Sequence, residues 1–143
     1  MYNVNTKKID EILDYMKGVL EIVQPLTNLS LEDFVQDSIV VLAAERAIHI
    51  AIESIVDVGN HLIDGFIMRD PGSYLDIIEI LLDERVLPEQ DAEVLKEFIS
   101  YRKILVHDYT KNDPELLYKL MTRSFSTVLG FEQHVHAYLK KEL

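Results

Sequence analysis

Cysteine is absent from the 143 residues, which excludes a disulfide framework, a thiol nucleophile and any zinc site built on cysteine. Such a chain fits a reducing compartment. Glycine and proline are scarce, with Gly 5 and Pro 4, and the prolines fall at the edges of apolar segments. Neither a glycine loop that cradles phosphate nor a Gly-x-Ser-x-Gly nucleophile elbow is present. Long hydrophobic runs are also missing. The longest strongly apolar stretch, residues 39–44, falls far short of the roughly 20 residues that cross a hydrocarbon layer of about 30 Å. Near the start, Lys7 and Lys8 lead into Ile9, Ile12 and Leu13 alternating with Asp10, Glu11 and Asp14, which is no signal core. The expectation is a soluble cytoplasmic protein that does not enter a membrane. Positive charge is short as well: Lys+Arg 14 against Asp+Glu 25 gives a net charge of -11. Non-specific nucleic-acid affinity comes mostly from neutralising phosphates, so a general nucleic-acid binder is disfavoured and any RNA contact must use a local basic site.

What is present is apolar substance at helical spacing. At 48% hydrophobic, a chain of this length can bury a core as one domain, residues 1–143. Ile9, Ile12, Leu13, Met16, Leu20 and Val23 share a face of a first helix that starts after Asn5 and ends near Gln24, before Pro25. Ser30 followed by Asp33 reads as a capping box that opens a long second helix reaching Phe66 or Met68, with Gly59 and Gly65 as points where it weakens or bends. After the Asp70-Pro71-Gly72-Ser73 turn, Ser73 caps a short helix carrying Leu75, Ile78 and Leu82. Pro88 reads as a first helical residue ahead of Val94, Leu95, Phe98 and Ile99. Asn112-Asp113-Pro114 then supplies a cap and a first-turn proline for a last helix. The sum is an all-α, antiparallel bundle of about five helices.

Between the last two helices stands Tyr101-Arg102-Lys103-Ile104-Leu105-Val106-His107-Asp108-Tyr109, in the pattern Arg-x4-His-x-Tyr. Arginine grips phosphate with a planar fork of donors, and histidine, with an ordinary pKa of about 6.5, suits proton transfer near neutral pH. Such a pair can cleave a phosphodiester without a metal. On an ideal helix, residues five apart differ by about 140° in direction, so Arg102 and His107 do not naturally aim at one point. Either the helix ends between them, or a second copy across a two-fold axis supplies the complementary group. The plainer alternative is that Arg102 caps a helix C-terminus and His107 bonds a backbone carbonyl.

The motif and its surroundings resemble the HepT-like branch of the HEPN superfamily, the toxin halves of paired HEPN and minimal-nucleotidyltransferase modules. The resemblance rests on Glu45-Arg46-Ala47, on residues 53–62, on the Ser73-Tyr74 helix start and on Leu105-Val106-His107-Asp108-Tyr109, in that order and spacing. It covers nearly the whole chain, with the final helix the least distinctive. It implies a homodimeric, metal-independent endoribonuclease with its cleft between protomers. Arg102 would hold the scissile phosphate, and His107 would act as general base or acid while a ribose 2′-hydroxyl attacks. Tyr109 would shape the site and be the tyrosine adenylylated by the nucleotidyltransferase antitoxin. One departure stands out: the residue after the arginine is often asparagine in the family and is Lys103 here.

Other residues bear on the same chemistry. Arg46, Glu53, Asp57, Asn60 and Asp64 form a polar stripe along the second helix. Such a stripe is commonly just solvated; its functional form has Arg46 adding charge to the RNA cleft and Glu53 or Asp57 orienting Arg102. His134 and His136 point to different sides of a helix, and His49 and His61 lack a ligand set, so neither a metal nor a cofactor is expected. Tyr74, Tyr101, Tyr118 and Phe125 read as packing residues rather than base-stacking platforms. A reading from another class is a non-catalytic helical module that docks a nucleotidyltransferase or a nucleotide, which the net acidity favours.

Overall fold

The computed structural model describes residues 2–143, and every regular element among them is helical. Asn5 caps the first helix, α1 (Thr6–Val23), its side chain accepting the Lys8 N–H at 3.1 Å. Ile9, Leu13, Met16, Leu20 and Val23 are buried, and Pro25 enters a 3₁₀ turn, Gln24–Asn28, that ends the helix.

The long second helix expected from Ser30 is two helices. Ser30 does cap α2, accepting the Asp33 N–H at 3.1 Å, but α2 covers only Leu31–Gln36. Asp37 is extended (φ -107, ψ 99) and its carboxylate accepts the N–H groups of Ile39 and Val40 at 3.1 and 3.2 Å, starting α3 (Ser38–Gly65). An aspartate is a better N-cap than helix interior, because its short side chain competes for local backbone donors. The break turns α2 so that Phe34 is fully buried, its ring 5.2 Å from that of Tyr118.

Helix α3 is the spine, packing against α1, α2 and the three later helices α4 (Tyr74–Asp83), α6 (Arg102–Val106) and α7 (Pro114–Glu142). Gly59 does not break it. A Cβ there would lie 2.5 Å from Ile77 Cγ2, so the glycine lets α4 approach closely. Gly65 plays the same part for the segment before α1, since a Cβ would lie 2.8 Å from the Cα of Val4.

Beyond α3, Arg69 forks onto Asp76 at 2.7 and 2.8 Å, and the Gly72 N–H donates to the same carboxylate at 2.9 Å. The Arg69 hydrogen bonds, then that of Gly72, hold the Asp76 carboxyl down at about 2. Ser73 caps α4 by accepting the Asp76 N–H. Pro88 is the extended residue before α5 (Glu89–Ser100) rather than its first helical residue, a shift of one position. Tyr101 joins α5 to α6, and a 3₁₀ turn, Tyr109–Lys111, leads to α7, which is capped by Asp113 with Pro114 in its first turn. One buried apolar cluster runs from Ile9 of α1 to Leu139 of α7. No helix among the described residues is long and apolar enough to cross a membrane.

Candidate functional site

The Arg-x4-His-x-Tyr segment is held where three helices meet. Helix α5 stops at Ser100, and Tyr101, buried with φ -68 and ψ -16, turns the chain into the short α6, of which Arg102 is the first residue. His107 closes α6 as its C-cap, its backbone N–H donating to the Lys103 carbonyl at 2.9 Å; the Asp108 N–H reaches the same oxygen at 3.0 Å. The helix therefore ends immediately before the histidine. Arg102 and His107 open on one groove, between the start of α4 and the α5–α6 junction, together with Ser73, Tyr74 and Lys103.

Arg102 is held from behind. Its Nε donates to Glu53 Oε1 of α3 at 2.6 Å, and its guanidinium carbon lies 4.8 Å from the centre of the Tyr74 ring. The charge-assisted bond to Glu53 raises the arginine's pKa further above its ordinary value, so the group is a permanent cation. Tyr74 adds a cation-π contact. Since the bond to Glu53 uses Nε, and no other hydrogen bond from the guanidinium is found among the described residues, its two terminal nitrogens are free to grip an oxyanion. The side chain is 30% exposed.

Of the two carboxylates expected to orient Arg102, Glu53 makes the bond. Asp57 lies one turn further along α3, in a groove with Lys8, Glu11 and Tyr15 of α1, where burial and then the Glu53 charge raise its pKa. Arg46 and His49 continue the strip from Glu53 towards the start of α3: His49 Nε2 is 3.6 Å from Glu53 Oε1, and Arg46 Nη1 is 3.5 Å from His49 Nδ1. Tyr109 opens the 3₁₀ turn, 68% exposed and outside the groove lining of its own chain. Away from the site, His134 pairs with Asp91 and His136 with Asp10, each at 3.0 Å. Among the described residues, no three His, Asp or Glu side chains gather at metal-binding spacing.

Tyr74, expected only to pack, is a wall of the groove and a platform for Arg102. The sequence marked it as a helix start, but its position over the guanidinium depends on α4 folding back across α5. Asn112 was noted as part of a cap signal, yet it bonds Tyr101 and Glu45 instead while Asp113 does the capping.

Comparison with known proteins identifies the family. The family model described as "Ribonuclease HepT-like" matches residues 7–135. A curated relative, "Putative RNase YutE" of Bacillus subtilis (strain 168), is 41% identical over 143 residues, covering 100% of this chain and 95% of the relative. The solved structure of YutE, described as a cytosolic protein of unknown function, superposes with a TM-score of 0.90 at 40% identity, over 100% of this chain and 96% of that one. A tri-AMPylated Shewanella oneidensis HEPN toxin in complex with MNT antitoxin shares the fold, with a TM-score of 0.77 at 20% identity over 94% of this chain and 97% of that one. The chain belongs to the HepT-like ribonuclease family.

Proposed function

We propose that this protein is a metal-independent endoribonuclease toxin, working in the cytoplasm as a homodimer and neutralised by a minimal nucleotidyltransferase antitoxin. The observation that carries the reading is the shared groove: Arg102, fixed by Glu53 and Tyr74, and His107 at the end of the same short helix. The terminal nitrogens of Arg102 bind the non-bridging oxygens of the scissile phosphate and stabilise the charge that grows as a fifth oxygen approaches phosphorus. His107 takes the proton from the attacking 2′-hydroxyl or delivers one to the departing 5′-oxygen.

A displacement in line needs a base and an acid on opposite sides of the phosphorus. The groove of one protomer is lined by one imidazole, so the second comes from a partner copy. Helix α3 carries a suitable joining surface. Ile39 is 80% exposed and Leu42 63%, and with Arg46, His49 and Glu53 they follow steps of three and four along one face. The apolar patch is thus continuous with the site. Tyr109, with its ring in solvent, is open to adenylylation, which places bulk and a negative phosphate beside the cleft and repels RNA.

The test is RNA cleavage in the presence of a metal chelator. The wild-type dimer is expected to cut, and His107→Ala to lose about 10²- to 10⁴-fold, the usual worth of general acid-base catalysis. Equal activity in both proteins would reveal a contaminating nuclease, and inactivity in both would favour the docking-module reading. Co-expression with a minimal nucleotidyltransferase antitoxin should add adenylyl mass to the wild type and not to Tyr109→Phe.

A further inference from the structure

The segment that carries Arg102, His107 and Tyr109 is closed at its base by the residues on either side of it. The Tyr101 hydroxyl donates to Asn112 Oδ1, and Asn112 Nδ2 donates to Glu45 Oε2 on α3. Tyr101 is 8% exposed; Asn112 and Glu45 are half-buried. Burial first, then the charges of Glu45 and Asp113, push the Tyr101 hydroxyl up to about 12, so it stays protonated and donates. An amide is the side chain this junction requires, because it accepts from the phenol through one atom and donates to the carboxylate through another.

The motif helix needs such an anchor. Helix α6 has five residues and buries none of them fully, far below the length at which a helix is stable alone. Ile104 and Leu105 rest against the core, but apolar contacts are non-directional and do not fix the rotation of a single turn. The side-chain hydrogen bonds that anchor it lead to α3: Glu53 to the guanidinium, and Glu45 through Asn112 to the base of the segment. A single rigid helix thereby sets both the arginine and the turn that presents the histidine.

We propose that Tyr101, Asn112 and Glu45 form a clasp that positions His107 relative to Arg102, making all three positioning residues of the site. The proposal rests on the ribonuclease reading. Misplacing a catalytic group by about 1 Å can cost 10²-fold in rate, so loosening the clasp should act on the rate constant rather than on RNA affinity, which Arg102 and its neighbours supply.

The experiment compares wild type with Asn112→Ala, Glu45→Ala and Glu45→Gln, the last retaining an oxygen that accepts from Asn112. Cleavage is measured alongside amide hydrogen exchange and the His107 ring resonances. Asn112→Ala and Glu45→Ala are expected to lower kcat by about tenfold to a hundredfold with KM changed by less than about threefold. Exchange should quicken in residues 102–111 and not in α3, and Glu45→Gln should restore most of the rate. The clasp is overturned if Asn112→Ala cleaves like wild type. It is equally overturned if exchange quickens throughout the bundle and Glu45→Gln is no better than Glu45→Ala. Should the wild type fail to cleave RNA, the ribonuclease reading falls on its own. The clasp then stands or falls on the His107 resonances and local exchange in Asn112→Ala, unchanged values refuting it.

Discussion

Single residues here are placed by what lies far from them in the chain. Arg102, His107 and Tyr109 were legible because their pattern is local, and Glu53 because it sits on a polar stripe of a strongly periodic helix. The roles of Glu45, Asn112 and Tyr74 are not legible in the sequence, since a hydrogen bond between Glu45 and Asn112 or a ring stacked on a distant guanidinium leaves no periodic trace. The buried Tyr101 hydroxyl gives this scale a pH test. Its pKa rises from an ordinary 10.0 to about 12 in the folded protein, so the neutral form is favoured by folding. The sign follows: the contribution is complete below about pH 10 and is lost as the pH climbs towards 12. At full extent, two pH units correspond to roughly 2–3 kcal/mol as an upper bound. Denaturant titrations between those pH values should show wild-type stability falling more steeply than that of Tyr101→Phe. Tyr138, whose pKa burial also raises, is common to both proteins and cancels in the difference. Parallel slopes would mean that folding does not favour the neutral form of Tyr101.

At the scale of elements, the periodic helices were readable and the short ones were not. Helices α1, α3 and α7 bury a face at three- and four-residue steps, and their caps at Asn5 and the Asn112-Asp113-Pro114 cluster follow from side-chain chemistry. The break at Asp37 was hidden because Phe34 and Val41, seven residues apart, keep helical register across it, with only the polar Asp37 and Ser38 between them on that face. Capping chemistry, not periodicity, decides there. Asp37→Ala removes the acceptor for the Ile39 and Val40 N–H groups and should destabilise the fold by about 1 kcal/mol, within the usual range for a lost N-cap. Asp37→Asn should retain most of that stability, because asparagine caps as well as aspartate. Thermal unfolding of the pair checks it; equal losses would show that charge at the helix start, rather than the hydrogen bonds, sets the break. Helix α6 escaped the reading for another reason, since five residues with no fully buried position carry too little periodic signal to be told from the end of α5.

At the scale of the whole molecule, the proposed ribonuclease must reconcile a net charge of -11 with the anionic substrate proposed for it. The long-range potential of such a chain repels RNA, so on the proposed reading recognition would depend on the short strip where Arg46, His49 and Arg102 concentrate positive or protonatable groups beside Lys103. The proposed pairing of two copies across α3 would bring two such strips together and raise the local cationic density without changing the charge per residue. The exposed Ile39 and Leu42 make that pairing testable apart from the chemistry. Because both side chains already face solvent in the single chain, Ile39→Asp and Leu42→Asp cost little in a monomer, within about 0.5 kcal/mol for a surface change. In a dimer joined on this face, the same carboxylates would be buried against apolar partners and oppose one another across the two-fold axis. The expected result is a double variant with wild-type helicity by circular dichroism and half the wild-type mass by sedimentation. It should also lose RNA cleavage even though Arg102, His107 and Glu53 are intact. A monomeric variant that cuts RNA at the wild-type rate would place the full catalytic set within one chain. A variant that remains dimeric would move the joining surface off the start of α3.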